Sequence, residues 1–194
     1  MAIEIRPARQ FGDVRTLLGP RQRADANVCW CLSYRIPAKQ NLALQGLQRG
    51  EFVKELLSED PPPGILAYDG DEPVGWAAVH PRADTSFARS RKIPLLDELP
   101  VWSVWCIRVR PGHRGKGISH RLLAGAVDFA RSNGAPILEG YPVDNGGQHV
   151  DLTMAYVGTR KLFEDEGFRK AADTESVISG FPRVLMRLDL CQAG

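Results

Sequence analysis

One segment constrains the fold more than any other. Val101 to Val109 is apolar and rich in β-formers, with Trp102, Val104, Trp105 and Ile107 in the run. It passes through Arg110-Pro111-Gly112-His113-Arg114-Gly115-Lys116-Gly117 straight into Ile118 to Asn133. There Ile118, Leu122, Leu123, Ala126, Val127 and Ala130 form one stripe at helical spacing, and Asn133-Gly134 closes it. The segment therefore predicts strand, glycine turn and helix without interruption. The first N–H groups of such a helix lack internal partners and sit at the positive end of its dipole. Gly115 and Gly117 clear side chains from the approach, and Arg114 and Lys116 add charge, so the turn suits a phosphate. Neither GxGxxG nor a Walker lysine is present, and a plain solvated turn with the same glycines also fits this spacing.

The surrounding sequence extends the pattern. Ile3 and Ile5 alternate with Glu4 and Arg6 as a short strand ending at Pro7, and Phe11 to Leu18 reads as a helix closed by Gly19-Pro20. Arg21 to Pro37 is polar and irregular. Gln40 to Ser58 predicts a second helix, weakened by Gly46 and Gly50. Ile65 to Tyr68 and Pro73 to Val79 flank Asp69-Gly70-Asp71-Glu72, a hairpin signal. Arg82 to Pro100 predicts a long polar loop. Pro136 to Val143 reads as a strand, Thr153 to Glu166 as a helix, Phe168 to Ala172 as a short strand and Pro182 to Leu190 as the last one.

The chain has 194 residues, a length that predicts one domain, 1–194. With 43% hydrophobic and 25% charged residues it is globular, not disordered or rod-like. Lys and Arg number 25 against 23 acidic residues, too balanced for duplex nucleic acid as main partner. No apolar run is long enough for a membrane span. The first ten residues carry Glu4, Arg6 and Arg9 and no signal-peptide core, which predicts a cytoplasmic protein with its four cysteines reduced.

Val109-x-Pro111-x-x-Arg114-Gly115-Lys116-Gly117-Ile118, followed by Leu122-Leu123, resembles the acetyl-CoA motif of the GNAT N-acetyltransferases. The order of elements over nearly the whole chain and the late Glu166-Gly167-Phe168 strengthen the resemblance. It implies an α/β (α+β) fold: a mixed twisted sheet of six to seven strands, splayed between the fourth and fifth, with about four helices. It implies that the chain is an acyltransferase that binds acetyl-CoA in the splay. Ile107 and Val109 would meet the pantetheine arm, and Arg114, Gly115, Lys116, Gly117, Ile118 and Ser119 the pyrophosphate. An amine acceptor is implied and no metal is; a monomer or a homodimer is compatible, since exposed edge strands allow pairing. Two departures stand out. Gly112 occupies the position of a charged or amide residue, which Arg114 or Arg110 would replace. Phe163 occupies the position of a tyrosine that commonly protonates the leaving thiolate, and Tyr156 is the substitute on offer, or else a lining aromatic.

Amine acetylation needs a proton acceptor, and Glu139, in the strand beside the splay, is the first candidate if its carboxylate faces the cleft. Asp144, His149 and His80 are weaker ones. Trp30, Tyr34 and Arg35 fall where the family builds its acceptor pocket. Cys29-Trp30-Cys31 supplies two thiols, too few to close a zinc site. The alternatives are an acetyl-CoA-binding sensor or scaffold with weakened catalysis, and a nucleic-acid-binding domain resting only on Arg108, Arg110, Arg114, Lys116 and Arg121.

Overall fold

The computed structural model describes residues 3–151 and 156–191. Seven strands form one mixed sheet: β1 (Ile3–Pro7), β2 (Gly64–Asp69), β3 (Glu72–Pro81), β4 (Trp102–Val109), β5 (Ile137–Gly140), β6 (Arg169–Ile178) and β7 (Phe181–Asp189). Their order is β1-β2-β3-β4-β5-β7-β6. Only β4 and β5 pair in parallel. Among the described residues five α-helices flank the sheet: α1 (Phe11–Leu18), α2 (Ala38–Ala43), α3 (Leu47–Leu56), α4 (Ile118–Ser132) and α5 (Arg160–Asp165).

Both faces of the central sheet are covered, which explains why Ile65-Leu66-Ala67-Tyr68 is apolar without alternation. Ile65 and Ala67 pack toward Ile118, Leu122 and Leu123 of α4. Leu66 and Tyr68 pack toward Val14 and Leu18 of α1 and Val53 and Leu56 of α3. Each fully buried leucine contributes roughly 1.5–3 kcal/mol by leaving water. α4 sits close to the sheet because Gly125 carries no side chain; a Cβ there would lie 2.6 Å from Ile5 Cγ2.

Several boundaries differ from expectation. The helix expected over residues 40–58 is split into α2 and α3 around Gly46, which has φ +51°. Leu42 and Leu47, within that span, are exposed. The helix expected from Thr153 starts at Arg160, where the Thr159 side chain accepts from Leu162 N–H; Thr153 itself lies outside the described residues. β6 runs to Ile178, well past Ala172, because its residues alternate polar and partly buried on an edge strand. The polar loop after β3 is ordered around Arg82, whose guanidinium donates to the carbonyls of Phe87, Ile93 and Pro94. No helix among the described residues is long and apolar enough to cross a membrane.

Candidate active site

The site is built where β4 and β5 part. They pair only from Trp102–Leu138 to Val104–Gly140. β5 then stops, while β4 continues five residues to Val109. A bulge marks the parting: between the pairs Val104–Val79 and Ile107–Ala77, β4 spends one residue more than β3. As a result Trp105 and Cys106 both pack toward the α1/α3 layer, whereas Val104 and Ile107 pack toward α4. Arg110 N–H bonds Val74 on β3 and Ile107 N–H points the other way, to the Tyr156 carbonyl at 2.7 Å. Backbone groups alternate sides along an antiparallel strand, so those of Val109 face the gap as well.

A cleft of about 690 Å³ fills this gap. Ile107 and Val109 form its floor, and Arg114, Gly115, Gly117, Ile118 and Ser119 form one end. Of the expected binding residues only Lys116 is not on its wall. Gly117 caps α4 in the left-handed region at φ +72°, with no side chain closing the helix end. Gly115 is also left-handed, at φ +75°, and a Cβ at either glycine would meet nothing within 4 Å. The turn therefore presents unpartnered amides to open space, which is a cradle for phosphate oxygens. Arg110 also lines the cleft but pairs with Glu72. Arg114 forms no ion pair among the described residues and is free to add charge to the cradle. Thr16 of α1 and Arg21, just after it, also line the cleft, which nothing in the motif spacing signals. His120 joins α4 to α5 through Glu166 at 2.9 Å.

A smaller chamber of about 210 Å³ opens beside the cleft. Tyr156 and Arg108 line both. Tyr34, Trp105 and the thiols of Cys29, Cys31 and Cys106 complete most of its wall. The hydroxyls of Tyr34 and Tyr156 lie 3.3 Å apart. Burial, then the Tyr34 hydroxyl, pushes the Tyr156 phenol above its usual range, and burial does the same to the Cys31 thiol. All four cysteines are free thiols.

Three sequence-based candidates sit elsewhere. Glu139 is wholly buried and does not line the cleft. Its carboxylate accepts from Arg82 Nη1 at 2.7 Å, Arg187 Nε at 2.7 Å and the Tyr141 hydroxyl at 2.8 Å. Both oxygens are taken by guanidinium donors, so it is a structural anion and not a base. Trp30 stacks on Phe11 at 5.9 Å and lies against Gly50, in the core beneath α3. Arg35 is buried and pairs with Glu59 at 2.9 Å. Of the expected acceptor-pocket residues Trp30, Tyr34 and Arg35, only Tyr34 reaches the chamber. Asp144 is held by Arg160 at 2.9 Å, which keeps its carboxyl below the usual range. His149 is exposed, and His80 is buried against Trp102. Phe163 is also explained: its ring is fully buried, meets Phe168 edge-on at 5.0 Å and fills the space left by Gly140.

The chain matches the Acetyltransferase (GNAT) family over residues 32–146, more than half its length, and belongs to that family. Its fold is that of solved GNAT structures. An N-acetyltransferase from Staphylococcus aureus Mu50 is 17% identical, with a TM-score of 0.57 over 98% of this chain and 99% of that one. A GNAT-family protein from Desulfovibrio desulfuricans is 18% identical, with a TM-score of 0.55 over 98% and 100%. The YncA protein of Salmonella typhimurium, solved with its cofactor acetyl-CoA, is 16% identical, with a TM-score of 0.52 over 100% and 97%. No curated protein matches the sequence.

Proposed function

We propose that this chain transfers the acetyl group of acetyl-CoA to a primary amine, by direct attack with both substrates bound. The observation that carries the reading is the left-handed glycine turn at the head of α4, open to the gap beside β4. The amides from Gly115 to Ser119, with the Arg114 side chain, would hold the diphosphate. Ile107 and Val109 would take the pantetheine arm on their outward backbone groups. Acetyl-CoA supplies an activated acyl group on a thiol leaving group.

The chain's own residues then divide the work. The chamber walls orient the amine toward the end of the pantetheine arm, which is positioning rather than chemistry. The Tyr156 hydroxyl stands where cleft and chamber meet and delivers the proton that the departing sulfur takes up. Its raised pKa keeps it protonated and able to donate at neutral pH. The Ile107 N–H, now bonded to the Tyr156 carbonyl, must be released for strand-like pairing with pantetheine.

That same bond favours a second reading, a CoA-binding module with weakened catalysis, as does the burial of Phe163 where a tyrosine acid would be expected. Thiol release from acetyl-CoA over a panel of amines separates the two. The enzyme reading requires amine-dependent release that drops at least tenfold in Tyr156→Phe. The module reading requires acetyl-CoA binding with no amine-dependent release.

A further inference from the structure

The acceptor chamber has an unusual charge balance. No aspartate or glutamate lines it among the described residues. Arg108 does, is exposed, and forms no ion pair among the described residues. Behind the wall lies Arg183, 2% exposed. Its Nη1 donates to the Tyr34 hydroxyl at 3.3 Å and its Nε to the Tyr141 carbonyl at 2.7 Å, while Nη2 has no partner among the described residues. Its guanidinium lies 5.4 Å from the centre of the Tyr34 ring. A guanidinium this buried without a carboxylate leaves its positive field uncompensated. Arg183 thus charges the chamber from behind Tyr34 while Arg108 charges it at the mouth.

We infer that the acceptor is a small amino-acid-like amine, one whose apolar or aromatic body also carries a carboxylate, and not a polyamine or a basic peptide. The inference rests on the acetyl-transfer reading above. A polycation would enter a positive chamber with no counter-ion and would be repelled. A carboxylate would face Arg108 with the field of Arg183 behind it. Tyr34 and Tyr156, both partly exposed, offer aromatic surface for an apolar body. About 210 Å³ suits a body of amino-acid size. The like charges also favour the neutral form of the bound amine, so a dedicated carboxylate base is not required. In the transfer the amine lone pair forms the C–N bond and the C–S bond breaks. The ammonium first gives one proton to solvent; the sulfur then keeps the C–S bonding pair and takes the Tyr156 proton, and the second proton on the new amide nitrogen returns to the Tyr156 oxygen.

The test compares matched acceptors on the full chain, after acetyl-CoA binding has been measured by calorimetry. L-phenylalanine and L-methionine are set against 2-phenylethylamine and 3-(methylthio)propylamine, which lack the carboxylate, and against spermidine. The expected result is at least a tenfold higher kcat/KM for the acids. Arg108→Glu should shrink that ratio below threefold. Calorimetry on the CoA-saturated protein should detect the acids and not spermidine. If acetyl-CoA binds but spermidine or the decarboxylated amines are acetylated as well as the acids, the inference is overturned. It is equally overturned if acetyl-CoA binds and no acid is acetylated, or if Arg108→Glu leaves the ratio unchanged. Absence of any heat with acetyl-CoA overturns the acetyl-transfer reading itself, and the acceptor class with it.

Discussion

Glu139→Gln separates a structural carboxylate from a catalytic one. Glu139 has no exposed surface, and its cross-strand neighbour Arg187 and the loop residue Arg82 both bond it at 2.7 Å. Arg82 is 3% exposed and has no other carboxylate among its ion pairs, while Arg187 also holds Asp97. Glutamine keeps the shape, removes the charge and turns one acceptor oxygen into a donor facing a guanidinium. Breaking a buried pair by removing one partner costs about 3–5 kcal/mol. For a chain of this size each kcal/mol is worth about 2–4 °C, so the melting temperature should fall by roughly 6–20 °C. The loop anchored by Arg82 should loosen with it. The assay pairs thermal and urea unfolding with amine-dependent thiol release at 10 °C, where the variant stays folded. The expected result is a large loss of stability with kcat within threefold of the parent. A general base would behave oppositely, since its loss costs about 10²–10⁴ in rate with little effect on the fold. An unchanged melting point with kcat down a hundredfold would refute the placement of Glu139.

Other outcomes follow from single positions. Gly117→Glu puts a like charge and a strained left-handed residue into the phosphate cradle and should raise the Kd for acetyl-CoA at least tenfold by calorimetry, with the fold intact by circular dichroism. Gly140→Ala places a Cβ 2.0 Å from Phe163 Cε1 and should destabilise the chain by about 1–3 kcal/mol or more in urea. Adding Phe163→Leu should recover part of that loss. His80 is held neutral when folded, its pKa pushed down to about 4 first by burial and then by Arg35. The unfolded chain binds that proton more readily, so stability should fall as pH drops from about 6.5 to about 4, and a His80→Phe variant should show a flatter urea midpoint across that window.

The parts of this fold that were legible in sequence are those where pattern and packing agree. Val101 to Ser132 carries its strand, turn and helix in residue types alone, because one stripe of α4 meets one sheet. The β2–β3 hairpin is legible from Asp69 to Glu72 in the same way. Glu139 misled because alternation assigns a residue to a face without saying what covers that face. Here a guanidinium layer from Arg82 and Arg187 covers it, supplied by residues 57 and 48 positions away. Arg183 was invisible for a related reason: one arginine in an alternating strand reads as solvent-facing, yet Tyr34 and Tyr141 enclose it. The break at Gly46 and the length of β6 were lost because polar, exposed segments leave little periodic signal. Trp30 and Arg35 lie in the loop between α1 and α2 but turn into the core, a choice made by Phe11 and Glu59.

The amides at the head of α4 are the core of the account, and they can be watched individually. In a titration of the isotopically labelled chain with acetyl-CoA, backbone amide resonances should move most at Gly115, Gly117, Ile118 and Ser119. Ile107 should follow as its bond to the Tyr156 carbonyl is exchanged. Saturable shifts centred on those residues are the predicted result. Resonances that stay fixed there up to millimolar acetyl-CoA, or that move only at a distant surface, would contradict it.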